Sequence, residues 1–224
     1  MSRFLFGLLV LCLAATPAAA AIDYGTLNRQ VVSAAGPIGG FGDIDSDDTT
    51  ATGFWSASVA SAYSDGPPSG GNASATATQV SDLATLSITM AGDLTGAGAA
   101  NDPPFGGYAG LAQSRLGASF TLDSDSPYVS TLVSTADVGH FDFRSQIANY
   151  DANSSGVLPA GFYTLSIVFQ ASNFGFPGAV SGSYAYNLTI VPEPSSACLI
   201  LVGTLLAAAS GWRNRGQKRA GFVC

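Results

Sequence analysis

The chain has 224 residues, 47% of them hydrophobic and only 10% charged, with 27 glycines and a net charge of −7. Five of its eight cations sit at the ends (Arg3, Arg213, Arg215, Lys218, Arg219), so the stretch from Asp23 to Glu193 sets all 15 acids against Arg29, Arg115 and Arg144 and carries −12. A lysine-free acidic body opposes nucleic acid and anionic membrane surfaces, which are gripped by Lys and Arg. With its cysteines confined to positions 12, 198 and 224, it also holds no disulfide framework, thiolate metal site or cysteine nucleophile.

Residues 1–20 read as a secretory signal peptide. Arg3 gives a minimal positive region, Phe4 to Ala15 an apolar stretch, and Ala18 and Ala20 an A-x-A cleavage site. The first candidate site follows. Asp43, Asp45 and Asp47 alternate within Gly36 to Thr52, a segment long for a hairpin loop, and oxygen ligands at that spacing suit a hard cation such as Ca²⁺. The glycine and the closing acid of a calcium loop are replaced by Asp48 and Phe54, which weakens the match.

From Trp55 onward apolar residues fall at period two, the mark of half-buried strands. Candidate strands are Trp55 to Tyr63, Ser74 to Val80, Thr85 to Met90, Arg115 to Leu122, Tyr128 to Thr135, His140 to Arg144, Gly161 to Phe169 and Ser183 to Ile190. Gly/Pro/Asp clusters separate them, and Gly92 to Gly107 reads as a long loop. Many short strands with turn punctuation predict an all-β body over 21–190, an antiparallel β-sandwich or jelly roll.

Asp151, Asn153 and Ser155, with Gly156 in sixth place, form a second calcium-like pattern, again without its closing acid because Phe162 occupies the twelfth position. Asp, Asn, Ser and Gly are also what a turn before a strand prefers. The following Leu158-Pro159-Ala160-Gly161-Phe162-Tyr163-Thr164-Leu165 resembles the LPAGxYTL hairpin of bacterial surface β-sandwiches, whose Pro-Gly turn launches a core strand. His140 is the single histidine, and its alternation with Asp142 and Arg144 places all three on an outer strand face. No G-x-S-x-G elbow is present. No catalytic residue is assigned and the chain is expected not to be an enzyme. Trp55, Tyr63, Phe105, Tyr108, Phe174 and Phe176 are the aromatics that would stack on sugar rings or plug the ends of a sandwich.

The last segment joins three physically different pieces. Val191-Pro192-Glu193-Pro194 is a rigid extended breaker, because the prolines fix φ and push Glu193 out of helical space. Residues 195–212 are uncharged and predict a transmembrane helix, and Arg213, Arg215, Lys218 and Arg219 then hold the tail in the cytoplasm. The run from Ala197 to Trp212 reaches only ~24 Å against a ~30 Å hydrocarbon core, so Ser195 and Ser196 must help to span it.

This ordered tail, residues 191–224, resembles the PEP-CTERM sorting signal of bacterial surface proteins. The resemblance implies recognition by an exosortase-type processing enzyme, transient residence in the inner membrane and release to the cell surface or extracellular matrix. The function expected is structural or adhesive, with extracellular polysaccharide as partner and no cofactor beyond the calcium reading. The alternative is a glycan-binding or glycan-cleaving module on an uncleaved single-pass anchor.

Overall fold

A computed structural model describes residues 21–65, 71–99, 107–174 and 177–191, which belong to one unit spanning Ala20–Val191. The signal-peptide residues Ala18 and Ala20, the motif residues Pro192, Glu193 and Pro194, the span 195–212 and the four basic tail residues lie outside them. Among the described residues no helix is long and apolar enough to cross a membrane.

The expected all-β architecture is present as two six-stranded antiparallel sheets. In chain order the strands are β1 (Asp23–Pro37), β2 (Asp43–Thr49), β3 (Gly53–Ser64), β4 (Asn72–Ala84), β5 (Ser87–Ala99), β6 (Tyr108–Leu122), β7 (Ser126–Ser134), β8 (Asp137–Ser145), β9 (Asn149–Tyr150), β10 (Ser154–Leu158), β11 (Gly161–Phe174) and β12 (Gly178–Ile190). The first sheet runs β2-β1-β6-β11-β8-β9 and the second β10-β7-β12-β5-β4-β3.

The alternation read from the sequence is obeyed. Leu116, Ala118, Phe120 and Leu122 face inward, as do Tyr163, Leu165, Ile167 and Phe169, and Tyr184, Tyr186, Leu188 and Ile190. β1 and β10 are not among the candidate strands, and two segments expected to be loops contain strand. The presumed loop Gly36 to Thr52 contains β2, a strand exposed nearly throughout and held by its ladder to β1. The presumed loop Gly92 to Gly107 begins as a strand, because β5 continues to Ala99 in register with β4 and β12.

The reason lies in how the sheets meet. At one end the filling is aromatic: Phe143 and Tyr150 lie 4.9 Å apart, Phe120 and Tyr163 5.4 Å, and Phe141 and Tyr186 5.8 Å. At the other end it is glycine and alanine. A Cβ at Gly110 of β6 would sit 2.2 Å from the Ser74 carbonyl oxygen and 2.6 Å from the Ala97 nitrogen. One at Gly96 would sit 2.4 Å from the Gly110 oxygen. Backbone of one sheet therefore touches backbone of the other, and the sandwich tapers from an aromatic end to a glycine end. Glycines in β5 are not turn signals; they are where no side chain fits.

Polar groups cross the interior between these ends. Arg29 of β1 is fully buried and reaches the second sheet. It donates to Gly53 O at 2.8 Å, to Ser81 Oγ at 3.2 Å and to Ala51 O, and its guanidinium carbon lies 5.5 Å from the Trp55 ring centre. Among the described residues no carboxylate pairs with it; burial lowers its affinity for a proton, and Asp82 only partly opposes that. Tyr184 stacks on Phe169 at 4.2 Å and passes its hydroxyl over Gly92 to Thr78 O at 2.9 Å. With its amide oriented to satisfy its neighbours, Gln79 donates to Ser114 Oγ at 2.7 Å and to the carbonyls of Gln30 and Arg115 at 3.3 Å.

Burial pushes the phenols of Tyr24, Tyr163, Tyr184 and Tyr186 well above their ordinary range, because a phenolate has no solvation there. Folded values above the unfolded value of about 10 mean that the linked stability is complete below pH ~10 and is lost as pH rises beyond it. We expect the tyrosinate absorbance of these four residues and loss of circular dichroism to appear together above that pH. Smooth titration of all tyrosines with the dichroism unchanged would contradict this packing.

Candidate functional site

Two of the carboxylates read as calcium ligands bind the backbone of a neighbouring strand. Asp43 Oδ2 accepts from Ala62 N at 2.8 Å and Asp45 Oδ2 from Ala60 N at 3.4 Å. Both donors belong to β3, the edge of the opposite sheet. Asp47 follows on the same extended strand, at a position paired with Val31. A strand spreads alternate side chains by ~6.7 Å along a line and does not wrap them round a point. Among the described residues no three of His, Cys, Asp and Glu converge on a metal-sized site.

The second pattern behaves alike. Asn153 Oδ1 accepts from Leu132 N of β7 at 2.6 Å, Asp151 O accepts from Ser154 Oγ at 2.7 Å, and Ser155 pairs with Val129 in β10. Leu132 lies just past the end of the β10–β7 pairing, where its N–H would otherwise face an open edge. Asp43, Asp45 and Asn153 thus cap strand backbone, the two aspartates at the β3 edge and the asparagine on β7 beside β10. Short polar side chains at edges block strand addition by another chain. The double change Asp43→Ala with Asp45→Ala should leave the melting temperature within a few degrees of wild type but raise concentration-dependent light scattering. Unchanged scattering would remove the capping role.

The expected hairpin at Leu158 to Tyr163 is corrected to a crossover, because Leu158 belongs to the second sheet and Gly161 to the first. The turn nonetheless launches a core strand. Tyr163 donates its hydroxyl to Pro159 O, and Ala160 N is held by Asp125 Oδ1 at 2.8 Å. His140 is exposed on the outer face of the first sheet, while Asp142 and Arg144 form an ion pair at 3.3 Å.

Three of the six aromatics considered for sugar stacking are engaged elsewhere. Trp55 packs on Arg29 and the core. Tyr63 and Tyr108 stack on each other at 6.1 Å and close the glycine end, where Tyr108 donates to Asp65 Oδ2 at 3.0 Å. Phe174 is half exposed; Phe105 and Phe176 lie outside the described residues.

What period-two reading did not reveal is the outer face of the second sheet, because it exists only once five strands are in register. Directly paired outward residues form rows across the strands. One row is Ala62, Ser74, Ala97 and Ala179; the next is Ala60, Thr76, Thr95 and Ser181. The third is Ser58, Thr78, Asp93 and Ser183. The fourth, Ser56, Val80, Ala91, Ala185 and Val133, is apolar from β4 to β7. The fifth is Phe54, Asp82, Thr89, Asn187 and Thr131. No Lys, Arg or Glu lies in these rows, and Asp82 and Asp93 are their only charges. A hollow of about 680 Å³ at the glycine end, lined by residues such as Tyr63, Asn72, Ser74, Gly98 and Ala179, is likewise uncharged.

Comparison with protein-family models, with curated proteins and with solved structures returns no match.

Proposed function

We propose that this chain is an exported surface protein that an exosortase-type enzyme sorts through its C-terminal tail. Its β body then serves a structural, adhesive role in an extracellular polysaccharide layer and turns nothing over. The observation that carries the body's role is the outer face of the second sheet: broad, nearly uncharged and dense in hydroxyl groups. Such a face offers many weak contacts to neutral, hydrated polymers and no grip for polyanions. The buried polar side chains are engaged internally, Arg29 with Ser81 and backbone carbonyls and Gln79 with Ser114 and backbone carbonyls, which gives them a packing role.

The sorting half of the reading rests on the order of breaker, apolar run and basic cluster in residues 191–219. Val191, the first residue of the breaker and the last described one, is tied by its N–H to Pro127 O at 2.8 Å. In cells that possess the processing enzyme, Pro192→Ala with Glu193→Ala should leave a full-length membrane-bound form while wild type is shortened. Equal processing of both would refute exosortase handling. A hydrolase screen on the purified protein should show no turnover of any glycan, and measurable turnover would sink the structural role.

A further inference from the structure

The five rows have a banding that a general hydrophilic surface lacks. Val80, Ala91, Ala185 and Val133 make an unbroken apolar line at right angles to the strands, with Val80 45% and Val133 73% exposed. On one side run Ser58, Thr78, Asp93 and Ser183; on the other run Asp82, Thr89, Asn187 and Thr131. Successive rows are separated by two residues of strand, ~6.7 Å, and the apolar line crosses three inter-strand gaps, ~14 Å.

We infer that this band is a binding track for an extended, neutral polysaccharide chain lying across β4, β5, β12 and β7. A pyranose ring has an apolar face of C–H groups and a rim of hydroxyls. Laid on the Val/Ala line, its rim comes within one hydrogen bond of the flanking rows, since a ring half-width plus a ~2.8 Å contact is close to the row spacing. Alanine in the middle of the line matters because a longer side chain would lift the sugar off the sheet. Short Ser and Thr hydroxyls lose little rotamer freedom on binding. The few charges also select the partner. Asp82 and Asp93 would repel uronate or sulfate groups, and no Lys or Arg lies in the five rows to hold them.

This deepens the structural role proposed above and rests on it. The test uses the full chain in detergent and two soluble neutral probes, hydroxyethylcellulose and dextran, in affinity electrophoresis, with polygalacturonate as the anionic comparison. Ala185→Lys places a long charged side chain on the track at an exposed position. Asn28→Lys does the same at an exposed position of β1 in the other sheet. Wild type and Asn28→Lys should be retarded by at least one neutral probe, and Ala185→Lys at least tenfold less. Equal retardation of Ala185→Lys and wild type would move binding off this face. Absence of retardation by both neutral probes, or stronger retardation by polygalacturonate, would overturn the track, while the absence of turnover would leave the structural role standing. If sedimentation instead shows a wild-type dimer that Ala185→Lys dissociates, with no glycan effect, the face belongs to a second copy of the chain and the inference fails.

Discussion

Replacing Arg29 with methionine is expected to cost about 3 kcal/mol of stability, although no acid is lost from its side. Methionine fills much of the same space, so the change isolates the guanidinium. Its donors serve Ala51 O, Gly53 O and Ser81 Oγ, and both carbonyls lie at the corner where the chain passes from the first sheet to the second. Hydrogen bonds from a charged donor contribute about 1.5–3 kcal/mol each, and abandoned buried acceptors keep their desolvation penalty. Against this stands the relief of a buried cation whose Nε has no partner, which offsets part of the loss. For a body of ~170 residues, 3 kcal/mol lowers the melting temperature by about 8 °C. A calorimetric scan decides: a variant that melts as high as wild type would show that the corner is held by packing alone. Arg29→Lys should recover only part, since one ammonium cannot fork to both carbonyls.

Gly110→Ala is expected to be at least as damaging, at about 3 kcal/mol or more, for a single added methyl. Its Cβ would meet backbone on two strands of the opposite sheet, and backbone cannot swing aside as a side chain can. Gly117→Ala, seven residues along the same strand, is the matched control. There the nearest atom to a new Cβ is Asn28 O at 3.7 Å, ordinary contact. That variant should melt at or slightly above wild type, because alanine restricts the unfolded chain. Chemical denaturation of the pair measures the difference. Similar midpoints would mean that the sheets separate freely at the glycine end.

These two residues also mark where the sequence was legible and where it was not. Period-two alternation located β3, β4, β6, β7, β8, β11 and β12 because each has one wet face and one dry. It failed for β2, where Asp43 to Asp48 are exposed on both faces and the strand is held by its ladder and by capping its neighbour. It also failed for the outer half of β5, since Gly96 and Gly98 speak against a strand locally and are selected by contact with a distant one. The calcium-like patterns are ambiguous in sequence for a related reason. Alternate acids are the same letters whether they surround an ion or line an edge, and only the partner strand tells the two apart. Arg29 stood out in composition as one of three body cations, but nothing near it in sequence announces a buried position. The rows of the second sheet are the least local feature, each drawing on residues from four or five strands.

The position of β12 gives the fold a mechanical character. It lies inside its sheet, bonded along nearly its whole length to β5 on one side and over its second half to β7 on the other. A pull on Val191 while the outer face of that sheet is held would load those ladders along the strand direction. Every rung would bear load together, as in a lap joint, where a hairpin at an edge would open one rung at a time. A chain tethered from this strand should resist drag as a stiff fastener and give way abruptly.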